Sequence, residues 1–140
     1  MLLRSETQHG LCALMVLGQR PEPLALSALA TEADLPRPML AKVLQQLARA
    51  GLVDGRPGPG GGYRLSRAPS EISLIEIIRV WEGARFGTTC LLGLPGCGEG
   101  QECPFHQAWG RIRGDLMRTF EENTLQSMLD GKIGIPDFPI

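Results

Sequence analysis

Three of the four cysteines in this 140-residue sequence fall between positions 90 and 103, and a histidine follows three positions later: Cys90-x6-Cys97-x5-Cys103-x2-His106. Thiolate sulfur and imidazole nitrogen are the usual ligands of zinc and of iron–sulfur clusters. Structural zinc sites usually clamp the metal with close-spaced cysteine knuckles, whereas gaps of six and five residues suit a larger object that a loop wraps around. A 2Fe–2S cluster takes four ligands, and Cys90, Cys97, Cys103 and His106 supply that number. A 4Fe–4S cluster is also compatible with the three cysteines. Imidazole in place of a thiolate removes negative charge and raises the reduction potential, which suits a group that changes state under stress. The same residues leave open a structural zinc site, and a thiol pair that closes to a disulfide. A nucleophile–base pair of Cys103 and His106 would need an orienting third group, and none is evident, so no enzyme and no small-molecule substrate are expected. Cys12, in an apolar stretch, reads as a packed core thiol, and His9 as a surface residue.

The opening MLLRSETQHG lacks the charged-then-apolar order of a secretory signal. No apolar run approaches the roughly 18 residues of a membrane span. A cytoplasmic protein with no membrane partner is therefore expected, and in a reducing compartment a cysteine cluster reads as a metal site before a disulfide. The segment 84–103 holds five glycines and a proline. So long a structureless stretch inside a compact chain tends to be functional, and a bound metal would replace the missing core.

The elements that must position this segment lie on both sides of it. Residues 73–82 read as a helix capped by Ser73, with Glu76 closing a capping box. Residues 104–123 read as a long helix that starts at Pro104. On it Phe105, Trp109, Ile112, Leu116 and Phe120 make a narrow apolar stripe of the kind a partner helix covers, which predicts a homodimer. A short helix over 124–130 ends at Gly131, and the proline-containing tail 133–140 reads as extended or flexible.

The first half carries a different pattern. Residues 5–18 read as a largely buried helix. Two more helices fall within 26–50, with Ser27 as a cap for the first and Asp34-Leu35-Pro36 as the connection. Pro38 suits the first turn of the second. Leu40, Val43, Leu44 and Leu47 then recur at i, i+3, i+4 and i+7, one apolar face, and Gly51 stops the helix. Leu52–Arg56 and Tyr63–Leu65 flank the Gly/Pro-rich PGPGGG turn and read as a hairpin. Helix, helix, helix, hairpin is the order of a winged helix-turn-helix. The fold class is thus mainly α with a small β-hairpin. The expected division is a winged-helix module over 1–70, a cluster loop and dimerisation helix over 71–132, and a tail over 133–140, within one structural domain.

A helix-turn-helix lays its second helix in the major groove. Arg37, Pro38 and Lys42 would face the groove, Gln45 and Gln46 could pair with adenine, and Arg4, Arg56, Gly60, Gly61, Tyr63 and Arg64 would approach the DNA backbone or minor groove. Net charge is −1, yet residues 1–70 carry net +3 and residues 71–140 net −4. The basic half coincides with the helix-turn-helix pattern.

The wing PGPGGGYRLSR, the preceding QQLARAGLV and the cysteine loop ending in CPFHQAW together resemble the bacterial winged-helix regulators that include IscR and NsrR. The resemblance runs over about residues 1–132. It implies a homodimer held by the helix over 104–123, palindromic double-stranded DNA sites, and a cluster on Cys90, Cys97 and Cys103. In the IscR-like branch a histidine three residues after the third cysteine is the fourth ligand, and His106 and the following Trp109 match that branch. The NsrR-like branch uses an acid in the first helix, and Thr7-Gln8-His9 offers none at position 8. The sequence departs from the IscR-like pattern by one extra residue between the first two cysteines. It departs again at Ala41, where the branch has an acid, so DNA sequence preference does not carry over. The function implied is a transcriptional regulator, read as a repressor, whose operator affinity follows the state of its cluster.

Overall fold

A computed structural model of the chain describes residues 3–94 and 103–134. The elements run α1 (Ser5–Gly18), α2 (Leu26–Ala33), α3 (Arg37–Arg49), β1 (Val53–Arg56), β2 (Gly62–Leu65), α4 (Leu74–Glu82), α5 (His106–Glu122) and α6 (Leu125–Leu129), with a single 3-10 turn at Pro69–Glu71. The fold is mainly helical with one antiparallel hairpin, a winged helix.

α1 buries Thr7, Gly10, Ala13, Leu14 and Leu17. These share one face at helical spacing, and Cys12 points the other way and is exposed. Cys12 is therefore not a core thiol: small residues, Thr7 and Gly10, complete the buried face instead. His9 is not a plain surface residue either. It is half-buried, and its Nδ1 is buried without a hydrogen-bond partner.

Between α2 and α3 the chain turns at Asp34 in the left-handed region (φ 53°, ψ 48°), which a short polar side chain tolerates. α2 starts at Leu26 with no side-chain cap, so Ser27 lies inside the helix and does not cap it. α3 carries a proline in its first turn and buries Leu40, Val43, Leu44 and Leu47 completely or nearly so. It ends at Gly51 (φ 75°). There Leu52 N donates to Leu47 O at 3.0 Å and Gly51 N to Ala48 O at 3.1 Å, the paired bonds of a Schellman stop, which require a left-handed residue at Gly51.

The hairpin pairs Val53 with Leu65, Asp54 with Arg64, Gly55 with Tyr63 and Arg56 with Gly62. Leu24 adds an isolated bridge on the other edge of β2, exchanging main-chain bonds with Tyr63 at 2.8 and 2.9 Å. Gly62 makes this approach possible: its φ is 134°, and a Cβ there would lie 2.4 Å from the Leu24 carbonyl oxygen.

α4 begins after Ser73, but the Ser73 side chain makes no capping bond. Glu76 closes no capping box, because its carboxylate pairs with Arg67. Long-range main-chain bonds fix the helix start instead: Leu74 N donates to Asn123 O and Leu125 N to Ile72 O, both at 2.9 Å. α6 carries a full capping box, between Thr124 and Ser127. One apolar core joins α1, α2, α3, β1, α4 and α6. α5, by contrast, contributes no buried residue and lies against α4. Its first residue is His106, two later than the sequence suggests, since Pro104 and Phe105 form a turn.

Candidate nucleic-acid interface and metal centre

The amphipathic pattern of α3 decides which side chains face out. With Leu40, Val43, Leu44 and Leu47 in the core, Pro38, Lys42, Gln45 and Arg49 repeat on the opposite face, and all four are exposed, as is Arg37. Beside this face projects the wing. Arg56 and Gly60 are exposed, whereas Gly61, Tyr63 and Arg64 are half-buried. A Cβ at Gly61 would lie 2.2 Å from the Arg56 carbonyl oxygen, and the Tyr63 ring lies over Gly55. These two residues thus shape the wing as well as lining it. Arg4 has a largely exposed side chain, with Nε 3.9 Å from a Glu82 carboxylate oxygen.

Gln46 stands apart from its neighbour. It is half-buried, and its side-chain oxygen accepts a hydrogen bond from Trp81 Nε1 of α4 at 2.7 Å. An adenine contact by Gln46 would have to compete with that bond. Gln45, one residue earlier, is the free glutamine. Sequence reasoning missed this contact, because nothing local links positions 46 and 81.

Of the four cysteine-loop donors, Cys90, Cys103 and His106 are described, and all are half-buried; Cys97 lies outside the described residues. Cys103 and His106 share the entry to α5, where His106 N donates to the Cys103 carbonyl at 2.9 Å. Cys90 is tied to the same helix through its neighbour. The Thr89 carbonyl accepts from Trp109 Nε1 at 2.9 Å and from Arg113 at 3.2 Å. Trp109 sits one turn after His106. Cys103 is a free thiol, and among the described residues no three His, Cys, Asp or Glu side chains are gathered as a metal site. Two thiols and an imidazole are nonetheless the donor types an iron–sulfur cluster takes, so the residues present fit such a group chemically.

The apolar stripe of α5 divides. Trp109 turns toward Thr89, and Phe120 packs on Phe86 with ring centroids 6.2 Å apart. Leu116 lines a cleft of about 280 Å³ between α5 and the segment after α4. Phe105 and Ile112 remain 50% and 57% exposed. Among the described residues no helix is long and apolar enough to cross a membrane.

Comparison with known proteins agrees with this architecture. The HTH-type transcriptional regulator IscR of Aliivibrio salmonicida is 31% identical over 133 residues, covering 94% of this chain and 73% of that protein. The structure of CymR (YrzC), described as the global cysteine regulator of B. subtilis, superposes with a TM-score of 0.78 at 26% identity, covering 93% of this chain and 97% of that one. The T. potens IscR structure gives 0.73 at 27%, covering 92% and 86%. These relatives are regulators of transcription, not enzymes. A family model described as Rrf2, iron-dependent transcriptional regulator, matches residues 3–131, and with the winged helix in place the chain belongs to the Rrf2 family.

Proposed function

We propose that this Rrf2-family, DNA-binding regulator of transcription works as a cytoplasmic homodimer on a palindromic operator. An iron–sulfur cluster on Cys90, Cys97, Cys103 and His106 controls its affinity, with 2Fe–2S favoured over 4Fe–4S. The observation that carries the reading is the pinning of the Thr89 carbonyl by Trp109 and Arg113. It seats the residue before Cys90 on the helix whose first turn carries His106. Residues 1–70 would then read DNA and residues 71–132 would sense and dimerise.

When bound, the cluster supplies a centre whose charge and presence respond to oxidants and to iron supply. The chain's own residues do the rest. Cys90, Cys97 and Cys103 hold the loop, and His106 ties it to the start of α5. Trp109 and Arg113 set where the loop rests along that helix. Phe105, Ile112 and, where the partner reaches them, Trp109, Leu116 and Phe120 join α5 to a second copy. The angle between the two copies sets whether both α3 helices reach half-sites about one DNA turn apart. On each half-site, Arg37, Pro38, Lys42 and Gln45 face the groove, while Arg4, Arg56, Gly60, Gly61, Tyr63 and Arg64 flank the backbone. Repression follows if the operator overlaps a promoter.

Purification without oxygen, with a visible spectrum and iron and sulfide assays, tests the cofactor. About two irons and two sulfides per chain support the four-ligand set, and about four of each keep the sensor reading but count against His106 as the fourth ligand. Three cysteines within 14 residues also allow a second reading, a thiol–disulfide switch. That switch would ignore chelators and respond to dithiothreitol, and its protein would be colourless.

A further inference from the structure

α3 is held to the rest of the fold mainly by Leu40, Val43, Leu44 and Leu47. Apolar burial is strong but non-directional, so it leaves a helix some freedom to roll or slide. A hydrogen bond removes that freedom because its geometry is narrow. α3 makes one such long-range side-chain bond among the described residues, from Trp81 Nε1 to Gln46 at 2.7 Å.

The indole that makes it is itself fixed. Trp81 is 8% exposed, and its six-membered ring lies against Gly10 of α1, where a Cβ would come within 2.2 Å of Cη2. α1 therefore keeps a glycine in mid-helix, at a cost of about 0.5–1 kcal/mol relative to alanine, to leave room for the ring. Glu82, the next residue, grips the start of α1: its Oε1 accepts from Thr7 Oγ1 at 2.6 Å and from Arg4 N at 2.7 Å. Directly after it, at Gly83, the chain leaves α4 for the cysteine loop.

We infer that Trp81 is a positioning residue for DNA reading. Through Gln46 it sets the roll of α3, and so the approach of Lys42 and Gln45 to the bases, from the end of α4 where the cysteine loop departs. The inference rests on α3 being the DNA-reading helix.

The test uses full-length protein and a duplex that the wild type enriches from a random pool, with a scrambled duplex beside it. Gln46→Met keeps side-chain length but removes the acceptor. Gln46→Glu restores an acceptor, and Trp81→Phe removes the donor. Gln46→Met and Trp81→Phe should each weaken the enriched duplex about threefold to tenfold, the range one such bond supports. Binding to the scrambled duplex and its salt dependence should stay unchanged, because phosphate contacts position without reading sequence. The double variant should be no weaker than the worse single one, and Gln46→Glu should keep more of the preference for the enriched duplex over the scrambled one than Gln46→Met does. An enriched-duplex affinity within twofold of wild type for Gln46→Met overturns the inference. So does an equal loss on both duplexes, or strict additivity in the double variant. If Arg37→Ala and Lys42→Ala also leave the preference intact, α3 is not the reading helix, and that assignment falls with the inference.

Discussion

At the scale of single residues, two glycines do work that no other side chain allows. At Gly62 a methyl group would meet the Leu24 carbonyl oxygen at 2.4 Å, at a φ of 134°. Gly62→Ala should therefore break the Leu24–Tyr63 bridge and cost about 1–3 kcal/mol, read as a lower denaturant midpoint with an unchanged slope. Gly10→Ala drives a methyl group into the Trp81 ring and should cost about 1–3 kcal/mol by overpacking. Its sign is open to a direct check, since alanine in an unobstructed helix would instead stabilise. Cys97→Ala should abolish cluster-dependent DNA binding and leave a folded dimer, measured by gel filtration beside operator titration. Residue-scale readings succeeded where one side chain decides its own environment, as at Gly51. They failed where the partner is remote. Glu76 looked like a capping residue, but Arg67 holds its carboxylate. Gln46 looked like a base reader, but Trp81 holds its amide oxygen.

Elements were legible where burial follows a clean period. The i, i+3, i+4, i+7 leucine and valine pattern of α3 corresponds to four core side chains, and the Gly/Pro-rich turn sits between two paired strands. α1 was harder because two of its five buried residues are Thr7 and Gly10, which hydrophobicity does not flag, and so Cys12 was misread. α5 was harder still. Its stripe follows helical spacing, but the segment from Phe86 to Thr89 covers part of it, leaving Phe105 and Ile112 the most exposed. Ile112→Glu should therefore weaken self-association at least tenfold by sedimentation while leaving the helical signal intact. An unchanged dimer would move the interface off this face. At α6, Thr124→Ala removes the capping box and should cost about 1 kcal/mol, seen as a lower melting temperature.

The whole molecule combines a basic first half and an acidic second half, net +3 and net −4. The second half should repel DNA, which favours the proposed binding face on α3, the wing and Arg4. Operator affinity should fall steeply with salt, by about 0.9 logarithmic units per logarithmic unit of salt for each phosphate neutralised. The sequence places four donor residues within 17 positions, but it did not show where Thr89 rests, because Trp109 and Arg113 reach back to its carbonyl from 20 and 24 residues away. The proposed regulation requires the cysteine loop to control DNA binding. The direct measurement is operator affinity of protein purified without oxygen, before and after a chelator removes its iron, with iron and sulfide counted on the same sample. A change of tenfold or more that Cys97→Ala abolishes is the predicted result; equal affinity in both states, with iron demonstrably present and then gone, would contradict it.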